Sequence, residues 1–154
     1  MSGVDGRVAL VTGAGRGIGK AVSLLLVERG ARVMAVSRSK HELAQLGVEY
    51  IVADLGDATG CAQAVAETER RMGPIDILVC NHGIGSAHER VIWEQDIEVW
   101  DETMRINLDG PFHLSRLIVG GWPTEATAGS STRARPPASW RSGRAARTAR
   151  PSTG

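Results

Sequence analysis

Apolar residues along the first 119 positions follow two alternating rhythms, short β-branched runs and longer stretches of helical period. Residues 7–12 (Arg-Val-Ala-Leu-Val-Thr) are a short apolar run closed by glycine, as expected of a buried parallel strand. Residues 18–29 then place Ile18, Val22, Leu25 and Leu26 at the period of a helix packed on a sheet, and Gly30 stops it. Residues 31–37 and 49–53 predict a second and a third strand, with a short helix over 40–46 between them. Residues 58–72 predict a longer helix with Ala62, Val65, Ala66 and Met72 facing inward, ended by Gly73-Pro74. A fourth strand is expected over 75–80, where Cys80 reads as a small buried hydrophobe. Residues 98–107 and 111–119 predict two more helices, with Pro111 tolerated in a first turn. Strands alternating with helices in this way imply βαβ units, so the fold class is α/β with a doubly wound parallel sheet.

The pattern stops after Val119. From Gly120 onward there is no Val, Ile, Leu, Met, Phe or Tyr, and Ala, Trp122 and Trp140 are the remaining apolar residues. Such a segment buries too little to offset the entropy of ordering, so residues 120–154 are expected to form a disordered basic tail. The tail also carries the charge asymmetry. Six arginines and one acid give +5 from Trp122 to the end, while twelve basic and sixteen acidic residues leave the rest at −4. The domain expectation is therefore residues 1–119 for the folded unit and 120–154 for the tail.

Candidate chemistry clusters after the predicted strands. Thr12-Gly13-Ala14-Gly15-Arg16-Gly17-Ile18-Gly19 lies between a strand and a helix. Glycine there permits positive φ and close approach to a pyrophosphate, and a helix N-terminus offers free N–H groups. The second strand ends Ser37-Arg38, with no acid to meet a ribose 2′-hydroxyl, and Arg16 adds a second cation. Both guanidinium groups suit a 2′-phosphate. Asp54-Leu55 follows the third strand, Asn81-His82-Gly83 the fourth, and Asn107 lies in Asn-Leu-Asp-Gly-Pro-Phe. Asp54 and Asn107 can also be read as helix caps.

These motifs, in this order, resemble the short-chain dehydrogenase/reductase family. The glycine loop matches Thr-Gly-x-x-x-Gly-x-Gly, Asp54-Leu55 matches its Asp-[Leu/Val] pair, and Asn81-His82-Gly83 matches Asn-Ala-Gly with His82 in place of alanine. The resemblance covers residues 5 to about 119. It implies a Rossmann-like fold and a nicotinamide dinucleotide cofactor, NADP rather than NAD from the two arginines. Thr12, Gly13, Gly15, Arg16, Gly17, Ile18, Gly19, Ser37, Arg38, Asp54, Leu55, Asn81, His82 and Gly83 are the cofactor-binding positions it implies. Asp54 would contact the adenine, and Asn107 would hold a water in a proton relay. His82 reads as a structural loop residue rather than a base. The implied reaction is hydride transfer on a small-molecule carbonyl/alcohol pair. Homo-oligomers are common in that family, often paired through the helix that here ends near Val119, so the sequence sets no oligomeric state.

The family's catalytic serine, tyrosine and lysine are missing. The single tyrosine is Tyr50, the two lysines are Lys20 and Lys40, and no Tyr-x-x-x-Lys occurs. The Arg/Ala/Pro/Ser/Thr/Gly/Trp content of the tail suggests a G+C-rich gene read out of frame. Shifting by one base permits a tyrosine codon from Thr148 and a lysine codon from Ser152, four apart, and a serine at Ala134/Arg135. A single lost base near codons 116–121 would produce this. The fold expected is thus a truncated Rossmann-like sheet whose active site is incomplete. A genuine short form with a basic tail is the other reading.

Composition narrows the remaining classes. No apolar run is long enough to cross a bilayer, and the N-terminus lacks a basic stretch followed by an apolar core. Cys61 and Cys80 have no metal-ligand spacing, so no metal site is expected, and the chain reads as cytoplasmic. A non-catalytic nucleotide-binding or sensor protein is the alternative function. Nucleic-acid binding through the tail is disfavoured, because its arginines sit on no periodic face and no Tyr or Phe is interleaved.

Overall fold

In a computed structural model the described residues are 3–85 and 91–122. Of the expected tail, residues 123–154, including Trp140, lie outside them. The elements run β1 (Val8–Thr12), α1 (Gly17–Glu28), β2 (Arg32–Ser37), α2 (Lys40–Ala44), β3 (Glu49–Val52), α3 (Ala58–Met72) and β4 (Ile77–Val79). A 3₁₀ turn (Ile92–Glu94), α4 (Ile97–Met104), a π-helical turn (Arg105–Asp109) and α5 (Gly110–Val119) follow.

All three strand pairings are parallel, in the order β3-β2-β1-β4. The chain winds outward through β2 and β3, then crosses back over β1 to β4. The β1/β4 seam is therefore where the winding reverses. Both faces are covered, as residue alternation requires. Val8, Leu10, Met34 and Val36 face one way and bury against Cys61, Ala64, Val65, Leu114 and Ile118. Ala9, Val11, Val33 and Ala35 face the other way, with Leu43, Leu46 and the partly buried Leu26.

The helix faces correct two sequence expectations. On α3 the buried positions are Cys61, Ala64, Val65 and Thr68, while Ala62 and Ala66 are exposed. The buried set follows i, i+3, i+4, i+7, with small Cys and Thr taking places a hydrophobicity reading gave to alanine. The Thr68 hydroxyl bonds back to the Ala64 carbonyl at 2.6 Å and so enters the core satisfied. On α1 the buried residues are Gly19 and Ser23, and Ile18 and Leu25 are exposed. This helix approaches the sheet on its smallest side chains, and Ser23 bonds to the Gly19 carbonyl at 2.8 Å.

Cys80 is exposed rather than buried. It stands just past β4, which has no outer neighbour among the described residues, and the strand itself is half-buried. The last two expected helices prove to be one helical run interrupted by the π turn. Pro111 has no N–H for the Asn107 carbonyl four residues back, and the ladder widens there. Trp122 follows α5, and its indole N–H donates to the Ile75 carbonyl at 2.8 Å.

Candidate functional site

The β1/β4 seam opens at the C-terminal ends of the strands, where doubly wound sheets place their ligand clefts. A cavity of about 610 Å³ lies there. Its lining joins the β1–α1 loop (Gly13, Gly15, Arg16, Gly17, Ile18) to Ser37 and Arg38 after β2, Asp54 and Leu55 after β3, and Asn81, His82 and Gly83 after β4.

Thr12 holds the seam shut from below. Fully buried, its hydroxyl donates to the Val79 carbonyl at 3.1 Å. The same oxygen faces the Asn81 amide at 3.0 Å, the His82 amide at 3.2 Å and His82 Nδ1 at 2.7 Å. One β1 side chain thus fixes the loop leaving β4. Above it, Gly13 adopts φ +62°, and a Cβ there would sit 2.9 Å from His82 Cα. A side chain on Gly19 would run into the Gly13 carbonyl, which Asn81 Nδ2 also approaches at 3.3 Å. Loop and helix start therefore meet at a spacing only glycine allows. No side chain caps α1 and no acid lies in its first turn, so its N-terminal N–H groups face the cavity without a competing anion on that helix.

Arg16 and Arg38 line the cavity, and among the described residues neither makes an ion pair. Asp54 Oδ1 accepts from the Gly56 amide at 2.9 Å in a local turn, whereas the cap of α3 is Asp57, accepting from Gly60 at 2.8 Å. The capping alternative for Asp54 is thereby set aside. Asn107 is not a cap either. It sits inside the π turn, where its amide accepts from the Ile84 N–H and donates to the Ile84 carbonyl, both at 2.8 Å. That two-way bond pins the β4 loop to the helix.

His82 fills the space between these parts. Its Nε2 is buried beside Gly110, where an added Cβ would come within 2.8 Å. Nε2 makes no hydrogen bond among the described residues, and the Ile106 backbone and Asp54 favour the protonated ring. Burial dominates and holds the imidazole below its ordinary 6.5.

Of the fourteen cofactor positions inferred from sequence, twelve line the cavity. Thr12 and Gly19 do not; they are buried beneath it and shape the loops. Asn107 is likewise not part of the lining, and it acts through Ile84. Ser39, Glu42, Ile84 and Ile106 line the cavity but were not singled out in the sequence. Ser39-x-x-Glu42 is a capping-box pattern and was the available signal. No group of three or more metal-ligating side chains occurs among the described residues.

Residues 7–130 match the family model for short chain dehydrogenase. The chain belongs to the short-chain dehydrogenase family. The match continues past Val119, the end of the expected folded unit. Versicolorin reductase 1 of Aspergillus parasiticus is 40% identical over 124 residues, covering 73% of this chain and 46% of that protein. A 3-oxoacyl-[acyl-carrier-protein] reductase of Vibrio cholerae is 38% identical over 129 residues, covering 77% and 50%. The chain spans about half the length of the curated relatives it matches. Among solved structures, a metagenomic blue fluorescent protein in complex with NADPH superposes with TM-score 0.71 at 32% identity, covering 78% of this chain and 53% of that one. A 3-ketoacyl-(acyl-carrier-protein) reductase from Brucella melitensis complexed with NADH gives 0.72 at 28%, covering 76% and 50%. The Rossmann-like expectation holds, and no described helix is long and apolar enough to cross a membrane.

Proposed function

We propose that the β1/β4 cavity binds a nicotinamide dinucleotide, NADP(H) in preference to NAD(H), within an oxidoreductase acting on a carbonyl/alcohol pair. The observation that carries the cofactor preference is that Arg16 and Arg38 both line this cavity and are without acidic partners among the described residues. A 2′-phosphate offers them charge-assisted, bidentate hydrogen bonds. The bare glycine cradle and uncapped α1 suit the pyrophosphate. Solved relatives bound to NADPH or NADP support this reading, although another holds NADH. Calorimetric titration of both reduced nucleotides tests it. NADPH should bind more tightly, and Arg38→Asp should reverse the order; equal affinities in the unaltered chain would end the assignment.

The cofactor, when bound, supplies the hydride, and the protein must supply the proton and hold the carbonyl. In this chain the serine and the Tyr-x-x-x-Lys of the family are absent from the written sequence. The 154 residues as written therefore bind nucleotide without useful turnover, and restoring the frame near codon 120 recovers a reductase. A second reading, a non-catalytic nucleotide-binding protein, rests on the same absence. NADPH oxidation with a panel of ketones separates the two. A frame-restored chain that stays silent favours the second, and turnover by the unrepaired chain refutes the frame reading.

A further inference from the structure

The wall that meets the β2 end of the cavity carries an acid as well as two cations. Glu42 lies in the first turn of α2 and is half-buried. A Ser-x-x-Glu pair at a helix start ordinarily closes on itself, the glutamate reaching back to the backbone N–H of the cap residue. Here that N–H is already taken, because Ser39 donates to the Ser37 hydroxyl at 3.2 Å. Only half of the box remains, with the Ser39 hydroxyl accepting from the Glu42 amide at 3.4 Å. The freed carboxylate turns into the cavity and lies over Gly15. A Cβ on Gly15 would stand 2.7 Å from Glu42 Oε2 and 3.2 Å from the Ser37 hydroxyl. Among the described residues no ion pair engages Glu42, although Arg16 and Arg38 line the same cavity.

We propose that Glu42 is a specificity-determining residue, accepting the hydroxyl of an unphosphorylated ribose and opposing the 2′-phosphate that Arg16 and Arg38 attract. The inference rests on the nucleotide reading above. An unpaired carboxylate is an acceptor only, so a ribose hydroxyl can donate to it and a phosphate dianion cannot. The two arginines offer the opposite preference. The site therefore carries determinants for both nucleotides, and Glu42 narrows the advantage of the phosphorylated one. The residue stands on α2, beyond the position at the end of β2 where such an acid is ordinarily sought.

The test uses the full 154-residue chain and its Glu42→Gln variant, each titrated with NADPH and with NADH. Glutamine keeps the length and packing over Gly15 while removing the charge. The ratio of NADPH to NADH affinity should rise roughly tenfold in the variant, with NADPH tighter and NADH weaker. That ratio does not depend on how much of each preparation is folded. Glu42→Asp, which keeps the charge at the helix start but draws it back from Gly15, should move the ratio the same way by a smaller factor. Binding of NADPH by both proteins with a ratio changed by less than about twofold would overturn the role of Glu42 alone. Failure of the unaltered chain to bind either nucleotide would overturn this inference and the underlying nucleotide reading together.

Discussion

Replacing Thr12 with valine tests the seam on which the site is built. Valine keeps the shape of threonine and removes one oxygen. That oxygen donates to Val79 and faces three donors, the amides of Asn81 and His82 and the His82 ring. A hydroxyl has two lone pairs, so it satisfies two of the three at once. The variant leaves two loop amides and the Val79 carbonyl short of partners. An unsatisfied buried group costs about 1–3 kcal/mol. The loop amides are only part-buried, so water offsets some of this, and a total of about 2–4 kcal/mol is expected. Against a domain stability of about 5–15 kcal/mol that is a large fraction. Thr12→Ser is the control, since it keeps the oxygen and loses one methyl, worth about 1 kcal/mol. Urea unfolding followed by circular dichroism should place the valine variant about 1 M or more below the serine variant. Equal midpoints for the two, or valine above serine, would refute the claim that the Thr12 hydroxyl ties β1 to the β4 loop.

Three further outcomes follow from the same geometry. The His82 imidazole is held below 6.5 in the folded chain by burial, so the native state resists a proton that the unfolded chain accepts. Stability is therefore full above 6.5 and is lost as pH falls from there towards the folded value; His82→Ala should lose less between ~pH 7.5 and ~pH 5.5, and equal losses would exclude His82 as the source. Cys61 is fully buried, and burial, with Asp57 nearby, pushes its thiol up to about 11; burial raises the Cys80 thiol too, but that residue is exposed. Iodoacetamide at neutral pH should label Cys80 first and Cys61 only on unfolding; equal labelling of both in the native chain would contradict the α3 packing. Gly19→Ala should abolish NADPH binding despite a helix-propensity gain of about 1 kcal/mol, because the added methyl runs into the Gly13 carbonyl; retained affinity would show that the loop can yield.

The strands were legible because each is a short run rich in apolar, β-branched residues. Residues such as Val8–Thr12 and Arg32–Ser37 needed no tertiary information. Which side of a helix faces inward was less so. Close approach of α1 selects Gly19 and Ser23 over the larger Ile18 and Leu25, and a scale that rewards size points to the wrong face. Cys80 misled for a related reason, since an apolar run reads as buried only when a neighbour covers it. The glycine loop and the cations after β2 were legible as a site because their chemistry is written in consecutive residues. Glu42 was not, because its direction depends on Ser37 capturing the Ser39 amide, a contact between a strand end and a helix start. The pinning of Ile84 by Asn107 spans 23 residues and has no local signature.

The most direct test of the central claim is residue-resolved mapping of nucleotide binding. The ¹⁵N-labelled chain is titrated with NADPH and its amide shifts are followed. Saturable changes should concentrate at Gly13, Gly15–Ile18, Ser37–Arg38, Asp54–Leu55 and Asn81–Gly83, the residues that line the β1/β4 cavity. No saturable change, or changes centred instead on the far cleft beside Arg32 and Arg71, would contradict the account.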